Sequence, residues 1–375
     1  MVRRRVVVVC MLDSIHSARW LSQFENQRTD FLLFPSSPHR KVHPELERLL
    51  SSSGAAGFRL VPLARYFALP LWVLDKFSNE FFRGSLLRAA IRSFQPSVVH
   101  SLELQNAGYV ALRAMSSYKP KDLKFMVTNW GSDIFWFQRF PKHEAKLRKL
   151  LKLADVYSAE CERDVALARN LGFTGQVMPV IPNAGGFSEA DLAIPRLTSG
   201  ERKTIALKGY HGWVGRAKIS LEAVGEMSEE LQEFQIVVYS ANRSVLKLAR
   251  QVRKQAGLEI EVFAKGAMSH KQVLEMFAKS SIYVGLSESD GISTSMLEAM
   301  AMGAIPVQTS SACCDEWFGA SGVAVHDITV PATKDAIRQG LKLAEDPSNA
   351  EKNLKTIKSK ASAEAVKAIA LKFYD

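Results

Sequence analysis

Cysteine is scarce in this chain: its 375 residues contain four, Cys10, Cys161, Cys313 and Cys314, none at a metal-ligand spacing. Neighbouring Cys313 and Cys314 are poorly placed to bridge each other, so neither a zinc centre nor a disulfide scaffold is expected. The usage suits a reducing cytosol. Long apolar runs are missing as well, none reaching the ~20 residues that a membrane-spanning helix needs. The opening MVRRRVVVVCML sets basic residues before an apolar run as a signal peptide does, but Asp13 ends the run early and no small-residue cleavage site follows. It reads as a first buried strand. Internal repeats, low-complexity tracts, a Walker loop, the dinucleotide fingerprint and any recognised nucleic-acid motif are absent too. What is present is a chain long enough for two cores.

The formal net charge of +11 is unevenly divided. Residues 1–190 hold 26 Lys and Arg against 16 Asp and Glu, whereas residues 191–375 hold 23 against 22. The first half is therefore expected to meet something anionic, such as a pyrophosphate or the surface of an anionic membrane; nucleic acid is set aside for want of a motif. Strand-like runs alternate with amphipathic helical runs from end to end. Arg5–Met11, SVVH, KFMVT and VYSAE read as strands in the first half, with helices at SIHSARWLSQF, SLLRAAIRSF and FPKHEAKLRKLLKLAD. After a Pro- and Gly-rich linker at roughly 180–200, KTIALK, FQIVVYS, LEIEVFA, SIYVGLS and IPVQT repeat the pattern. Such alternation predicts an α/β fold of two Rossmann-like domains, 1–190 and 191–350, with a helical tail over 351–375 crossing back to the first.

Ligands of open parallel sheets bind beyond the C-terminal strand ends, so residues just after strands carry the chemistry. SESDGISTSMLEAMAMGAIPV, Ser287–Val307, follows the strand SIYVGLS. Gly291 permits a tight backbone, and free amides where the helix begins near Ser293–Ser295 attract anions. Asp290 and Glu298 suit another task, accepting hydrogen bonds from sugar or ribose hydroxyls. A capped helix with a solvated Glu298 is the plainer account. A second cluster, KGYHGWVGRAK, places Gly209, Gly212 and Gly215 after the strand KTIALK, with Arg216 and Lys218 ready to neutralise phosphate.

DGISTSMLEAMAMGAIPV resembles the signature of the retaining glycosyltransferases of family 4, which have the GT-B fold: an acid, seven residues, then a glutamate. Asp290 takes the first acid's position and Glu298 the second's, with Gly291, Leu297, Ala299, Met300, Gly303, Pro306 and Val307 in frame. DSIHSARW, VVHSLELQNAGY, NWGSDI and PNAGG resemble further recurring stretches. The resemblance implies two domains facing a cleft and a nucleotide-diphosphate sugar as donor substrate, with no cofactor and no metal. Asp290 would meet the donor sugar, Glu298 the ribose, and the amides of Gly291, Ile292, Ser293, Thr294 and Ser295 the phosphates. Glu288 is the fallback first acid. Arg216 is the expected phosphate cation, Lys218 or Lys265 the second choice, although Tyr210 stands where the family has its Arg and Trp130 where it often has His. In the first half His16, Arg19, His100, Trp130, Gly131, Ser132 and Asp133 follow strands and are expected on the acceptor side, His100 with a catalytic role. The acceptor is expected to be a lipid-linked or polysaccharide glycan of the cell envelope. The enzyme would be cytoplasmic and peripheral to the membrane; YFALPLWVLDKFSNEFFRG, residues 66–84, with Arg65 before it and Arg83 near its end, reads first as a helix packed on the sheet and, as the alternative, as a patch dipping into the membrane interface. An epimerase or phosphorylase of the same fold, or a sugar-nucleotide sensor without catalysis, are the rival readings.

Overall fold

The structure, a computed structural model, describes residues 3–375 apart from 53, 63 and 184. Ala184 of the PNAGG stretch and the side chain of Arg65 therefore lie outside the described residues. The chain forms two compact units, one of Met1–Gly185 with Val366–Asp375, the other of Gly186–Ala365. Each is a wholly parallel sheet clothed by helices.

The first unit has seven strands: β1 Arg4–Cys10, β2 Thr29–Pro35, β3 Gly57–Leu60, β4 Val98–Leu102, β5 Lys124–Thr128, β6 Val156–Ser158 and β7 Gln176–Val177. The four consecutive valines of β1 explain themselves here. Val7 and Val9 enter one apolar layer and Val6 and Val8 the other, all four with no exposed surface, as a strand buried on both faces requires. The second unit has six strands: β8 Thr204–Lys208, β9 Gln235–Ala241, β10 Ile260–Ala264, β11 Ser280–Gly285, β12 Ile305–Thr309 and β13 Val323–Val325.

Each sheet reverses its direction of growth once. In the order β3-β2-β1-β4-β5-β6-β7 the reversal lies between β1 and β4, and in β10-β9-β8-β11-β12-β13 between β8 and β11. Loops leaving the two strands at such a point part to opposite faces and open a crevice beyond their C-terminal ends. These are the two places where function is to be sought.

The last ten residues complete the core of the first unit. Val366, Ala370, Phe373 and Tyr374 are buried in the layer of Trp20, Phe24 and Phe31. Tyr374 also corrects one expectation. His100 does not face solvent beyond β4 but points inward with no exposed surface, its Nδ1 2.8 Å from the Tyr374 hydroxyl and its Nε2 2.6 Å from Thr128 Oγ1. The strand runs two residues past it and is buried on both faces, so His100 lies inside the sheet rather than at its rim and cannot meet a substrate. Because Trp20 Nε1 donates to the Tyr374 oxygen (3.2 Å), the tyrosine proton is left for His100 Nδ1. Nε2–H then donates to Thr128. Tyr374→Phe is expected to cost about 1–3 kcal/mol by leaving two buried polar atoms unpartnered, measured by urea unfolding.

Candidate active site

In the second unit the site begins at the end of β8. Gly209 turns the chain so tightly that a Cβ there would lie 2.7 Å from the Tyr239 carbonyl oxygen. The backbone next folds into a small hairpin in which His211 pairs with Arg216 and Gly212 N–H donates to Gly215 O (3.2 Å). A Cβ on Gly215 would collide with the Tyr210 carbonyl, so a second glycine is required. The hairpin is stitched to the loop after β11: Arg216 N–H donates to Leu286 O (3.0 Å), Glu288 N–H donates to Val214 O (2.9 Å), and Gly215 pairs with Ser287. The two stretches picked out in the sequence are thus one structure.

Arg216 is part of the stitching. Its Nε donates to Glu288 Oε1 (3.0 Å) and its Nη1 to the carbonyls of Gly212 (2.9 Å) and Gly215 (3.0 Å). Only Nη2 remains for a ligand among the described contacts. Glu288, the fallback acid, is correspondingly held in this ion pair. Gly212 lies exposed in the hairpin, Lys218 is half-buried in the first turn of the following helix, and Lys265 is exposed after β10.

Beyond β11 the loop leads into the helix Thr294–Met302. Ser293 caps it, accepting from Met296 N–H at 3.4 Å. Among the described residues no acceptor meets the N–H groups of Thr294 and Ser295, which are left to bind an anion. Ile292 packs its side chain into the core and can offer only its backbone. Asp290 Oδ1 accepts from Gly291 N–H (3.0 Å), which withdraws that amide from any phosphate. Glu298 is buried from the second turn, with Oε1 3.1 Å from His270 Nε2. Ser289 Oγ is buried without a partner.

Sequence reasoning missed the cation at the centre. Lys208, the last residue of β8, is half-buried with its Nζ 3.4 Å from Ser293 Oγ. Burial opposes its charge, but Tyr283, Asp290 and Glu298 outweigh that cost and hold its pKa above the ordinary lysine value. The strand β8 thus delivers an ammonium beside the open mouth of the helix, within electrostatic reach of both acids. A polar residue closing a strand is the commonest thing in a sequence, and only the strand order, which sets β8 beside β11, marks this one.

In the first unit the crevice lies between β1 and β4. Ser14 caps the helix Ile15–Ser22, accepting from His16 N–H (3.2 Å), and the exposed His16 ring stands edge-on to Trp130 at 6.0 Å. Trp130 Nε1 is buried without a partner, and Arg19 is half-buried on the same helix as His16. Gly131 turns through φ +54°, Ser132 is half-buried, and Asp133 is buried. Asp133 acts as a bracket, accepting from Leu104 N–H (2.8 Å) and Trp130 N–H (3.1 Å) to join the loops after β4 and β5. Burial, reinforced by Glu103, raises its pKa.

Glu103 is the second residue that the sequence did not single out. It follows β4 at φ +95°, a region that non-glycine residues rarely occupy, and leads into a π turn over Leu104–Gly108. Its buried carboxylate accepts from Ser36 Oγ (3.2 Å), Ala107 N–H (3.3 Å) and Asn106 Nδ2 (3.3 Å), while burial pushes its pKa up to about 7. Backbone strain of this kind persists where the surroundings enforce it, and it gathers at functional sites.

Residues 197–357, all within the second unit, match the model of the family described as glycosyl transferases group 1. Among solved structures, a glycosyltransferase from Rickettsia africae is similar over 100% of this chain and 98% of its own, with a TM-score of 0.71 and 13% identity. The α,α-trehalose 6-phosphate synthase of Burkholderia multivorans shares 11% identity over 100% of this chain and 98% of its own, with a TM-score of 0.71. Anabaena HepE, solved in complex with UDP-glucose, has 11% identity and a TM-score of 0.65 over 98% of each chain. No curated protein sequence matches this chain. The likeness to the solved structures is one of fold, two Rossmann-like units arranged along the chain as in GT-B glycosyltransferases.

Proposed function

We propose that this chain, whose residues 197–357 match the group 1 glycosyltransferase model and whose fold is that of GT-B enzymes, moves a sugar from a nucleotide-diphosphate donor to a lipid-linked or polysaccharide glycan, with retention at the anomeric carbon. The observation that carries the donor reading is the grouping of the Thr294 and Ser295 amides with the Lys208 ammonium, flanked by Asp290 and Glu298. As the anomeric C–O bond breaks, its electron pair passes to the diphosphate. Fixed N–H dipoles and a half-buried cation stabilise that charge with no reorganisation, usually the largest single contribution to catalysis. Asp290 meets the sugar hydroxyls and Glu298 the ribose. Because Lys208 and the amides answer the diphosphate's charge, turnover is expected without a metal or cofactor. The acceptor lies against His16, Arg19 and the Trp130–Asp133 loop, where the unpartnered Trp130 Nε1 awaits a hydroxyl oxygen. No helix among the described residues is long and apolar enough to cross a membrane.

Calorimetric titration with UDP and GDP tests the reading. One of them should bind, and Glu298→Ala should weaken it by roughly tenfold or more, the worth of a buried charged hydrogen bond. Unchanged affinity in the variant would remove Glu298 from the ribose, and failure of both nucleotides to bind would remove the donor site. The tethering of Arg216 by Glu288 favours one rival, a sugar-nucleotide sensor whose phosphate arm is locked. Slow donor hydrolysis by the wild type decides against it.

A further inference from the structure

The helix Ala64–Ser78 and the start of the helix Phe81–Phe94 carry seven of the eleven large apolar side chains exposed among the described residues. Their placement is regular. Tyr66, Leu69, Val73 and Phe77 follow one another at intervals of three, four and four, one stripe along a helix, with Tyr66 73% and Phe77 90% exposed. Leu74 broadens the stripe, and Phe81 and Phe82 continue it past the turn. The opposite face is where a core face should be, with Ala64, Ala68 and Asp75 buried. This helix is apolar on the outside. Single exposed hydrophobics need no explanation, but a contiguous group of this size marks a surface that is covered in use.

The hairpin is fastened in this attitude. Buried Asp75 pairs with buried Arg83 at 2.7 Å and accepts from Phe82 N–H (2.8 Å), while Arg83 Nη1 donates to Ser36 O (2.8 Å) beyond β2. The other acid of the hairpin, Glu80, is bound by Lys146 Nζ through both oxygens, at 2.8 and 2.9 Å. Both negative charges are thus neutralised inside the protein. The charges beside the stripe are cations: exposed Lys76 over the Trp72 ring at 4.0 Å, and exposed Arg113 at 5.4 Å over Phe81. In a twofold pairing of two copies, this surface would set like charges against like. A bilayer with anionic headgroups complements both parts, taking the apolar stripe among its acyl chains and the ammonium and guanidinium at headgroup level.

We propose that the hairpin of Ala64–Ser78 and Phe81–Phe94 is a docking surface for an anionic phospholipid bilayer, with Tyr66, Leu69, Val73 and Phe77 entering the interface. This deepens the membrane contact of the proposed function while resting on none of its chemistry. Nucleotide binding by the second unit is a separate readout, and either can fail alone.

Co-sedimentation of the full chain with vesicles tests it. Vesicles of phosphatidylcholine containing about 30% phosphatidylglycerol should carry the protein down, and pure phosphatidylcholine should do so at least roughly tenfold less well. A Tyr66→Ser, Phe77→Ser double variant should lose roughly tenfold or more of its partition to the anionic vesicles. Lys76→Glu should lose a smaller part, the part that salt also removes. The unchanged melting temperature and nucleotide affinity of these variants show that they are folded. Equal binding by the double variant, or no binding by the wild type, overturns the proposal. A dimer in sedimentation velocity that Phe77→Ser dissolves does so too, assigning the stripe to a second copy.

Discussion

Lys208→Met is expected to lower kcat by roughly 10²- to 10³-fold, the loss found when a fixed group facing developing charge is removed. Methionine keeps the length and most of the volume of the lysine stem, so β8 and its packing should survive. What disappears is the ammonium beside Ser293 that interacts electrostatically with both Asp290 and Glu298. Two effects then add. The diphosphate loses its counter-charge as the anomeric bond breaks, and the two acids face the incoming anion without the ammonium that offset part of their charge. Ground-state binding should weaken less than turnover, because the leaving diphosphate bears more charge in the transition state than in the donor. A steady-state comparison of kcat and KM checks this, with Lys208→Arg recovering part of the rate through charge alone. A near-normal kcat in Lys208→Met would pass the role to Arg216, whose Nη2 would then have to reach the phosphates despite the pairing with Glu288.

The contrast between Lys208 and Arg216 shows what a sequence conveys about such a site. Residues within one loop were legible because their chemistry is local. Gly291 before a Ser-Thr-Ser run before an apolar helix predicts an N-terminus with open amides, and the structure has one at Ser293. The glycines of KGYHGWVGR likewise announce a tight loop. Partners across the sheet were not legible. That Glu288 neutralises Arg216 follows from the hairpin lying against the loop after β11, a pairing between residues 72 apart. Lys208 depends in the same way on β8 and β11 being neighbours.

The fold itself was easier to read, because parallel strands buried on both faces appear as short apolar runs and the helices between them as 3.6-residue stripes. Misreading began where a run's length was uncertain. The sequence places His100 at the end of a strand, whereas the strand runs on to Leu102, and those two further residues move it from the rim into the core. Glu103 was beyond reach for another reason: its positive φ is imposed by the π turn that follows, and composition carries no sign of it. The apolar stripe of Ala64–Ser78 was visible, but its direction was not. Periodicity gives a face, and only the Asp75–Arg83 pair says which way that face is turned.

His100 gives the second large effect, on stability. Burial pushes its imidazole from the ordinary 6.5 down to about 3, and the neutral ring is fixed between Tyr374 and Thr128. In the unfolded chain the same ring takes up a proton as the pH falls through about 6.5. Between these limits the unfolded state binds the extra proton, so stability present above pH ~6.5 is lost progressively toward pH ~3, by up to about 4 kcal/mol. Glu103 works in the opposite sense. Its folded pKa, about 7 against an ordinary 4.5, means that the folded state is the one to take up a proton as the pH falls between those values. Protonation there relieves the cost of burying its charge and offsets part of the His100 loss. The melting temperature of the wild type should therefore change little from pH 7 to about 5 and drop steeply below, where Glu103 has nothing more to give. Glu103→Gln removes its share of the offset, leaving only that of the buried Asp133, and its decline should begin at a higher pH than in the wild type. His100→Phe should melt lower at pH 7, with Thr128 and Tyr374 deprived of their partner, yet show a shallower fall in acid. Calorimetric scans of the three proteins between pH 7 and 4 distinguish these courses, and an equally steep acid decline in His100→Phe would transfer the effect to other groups.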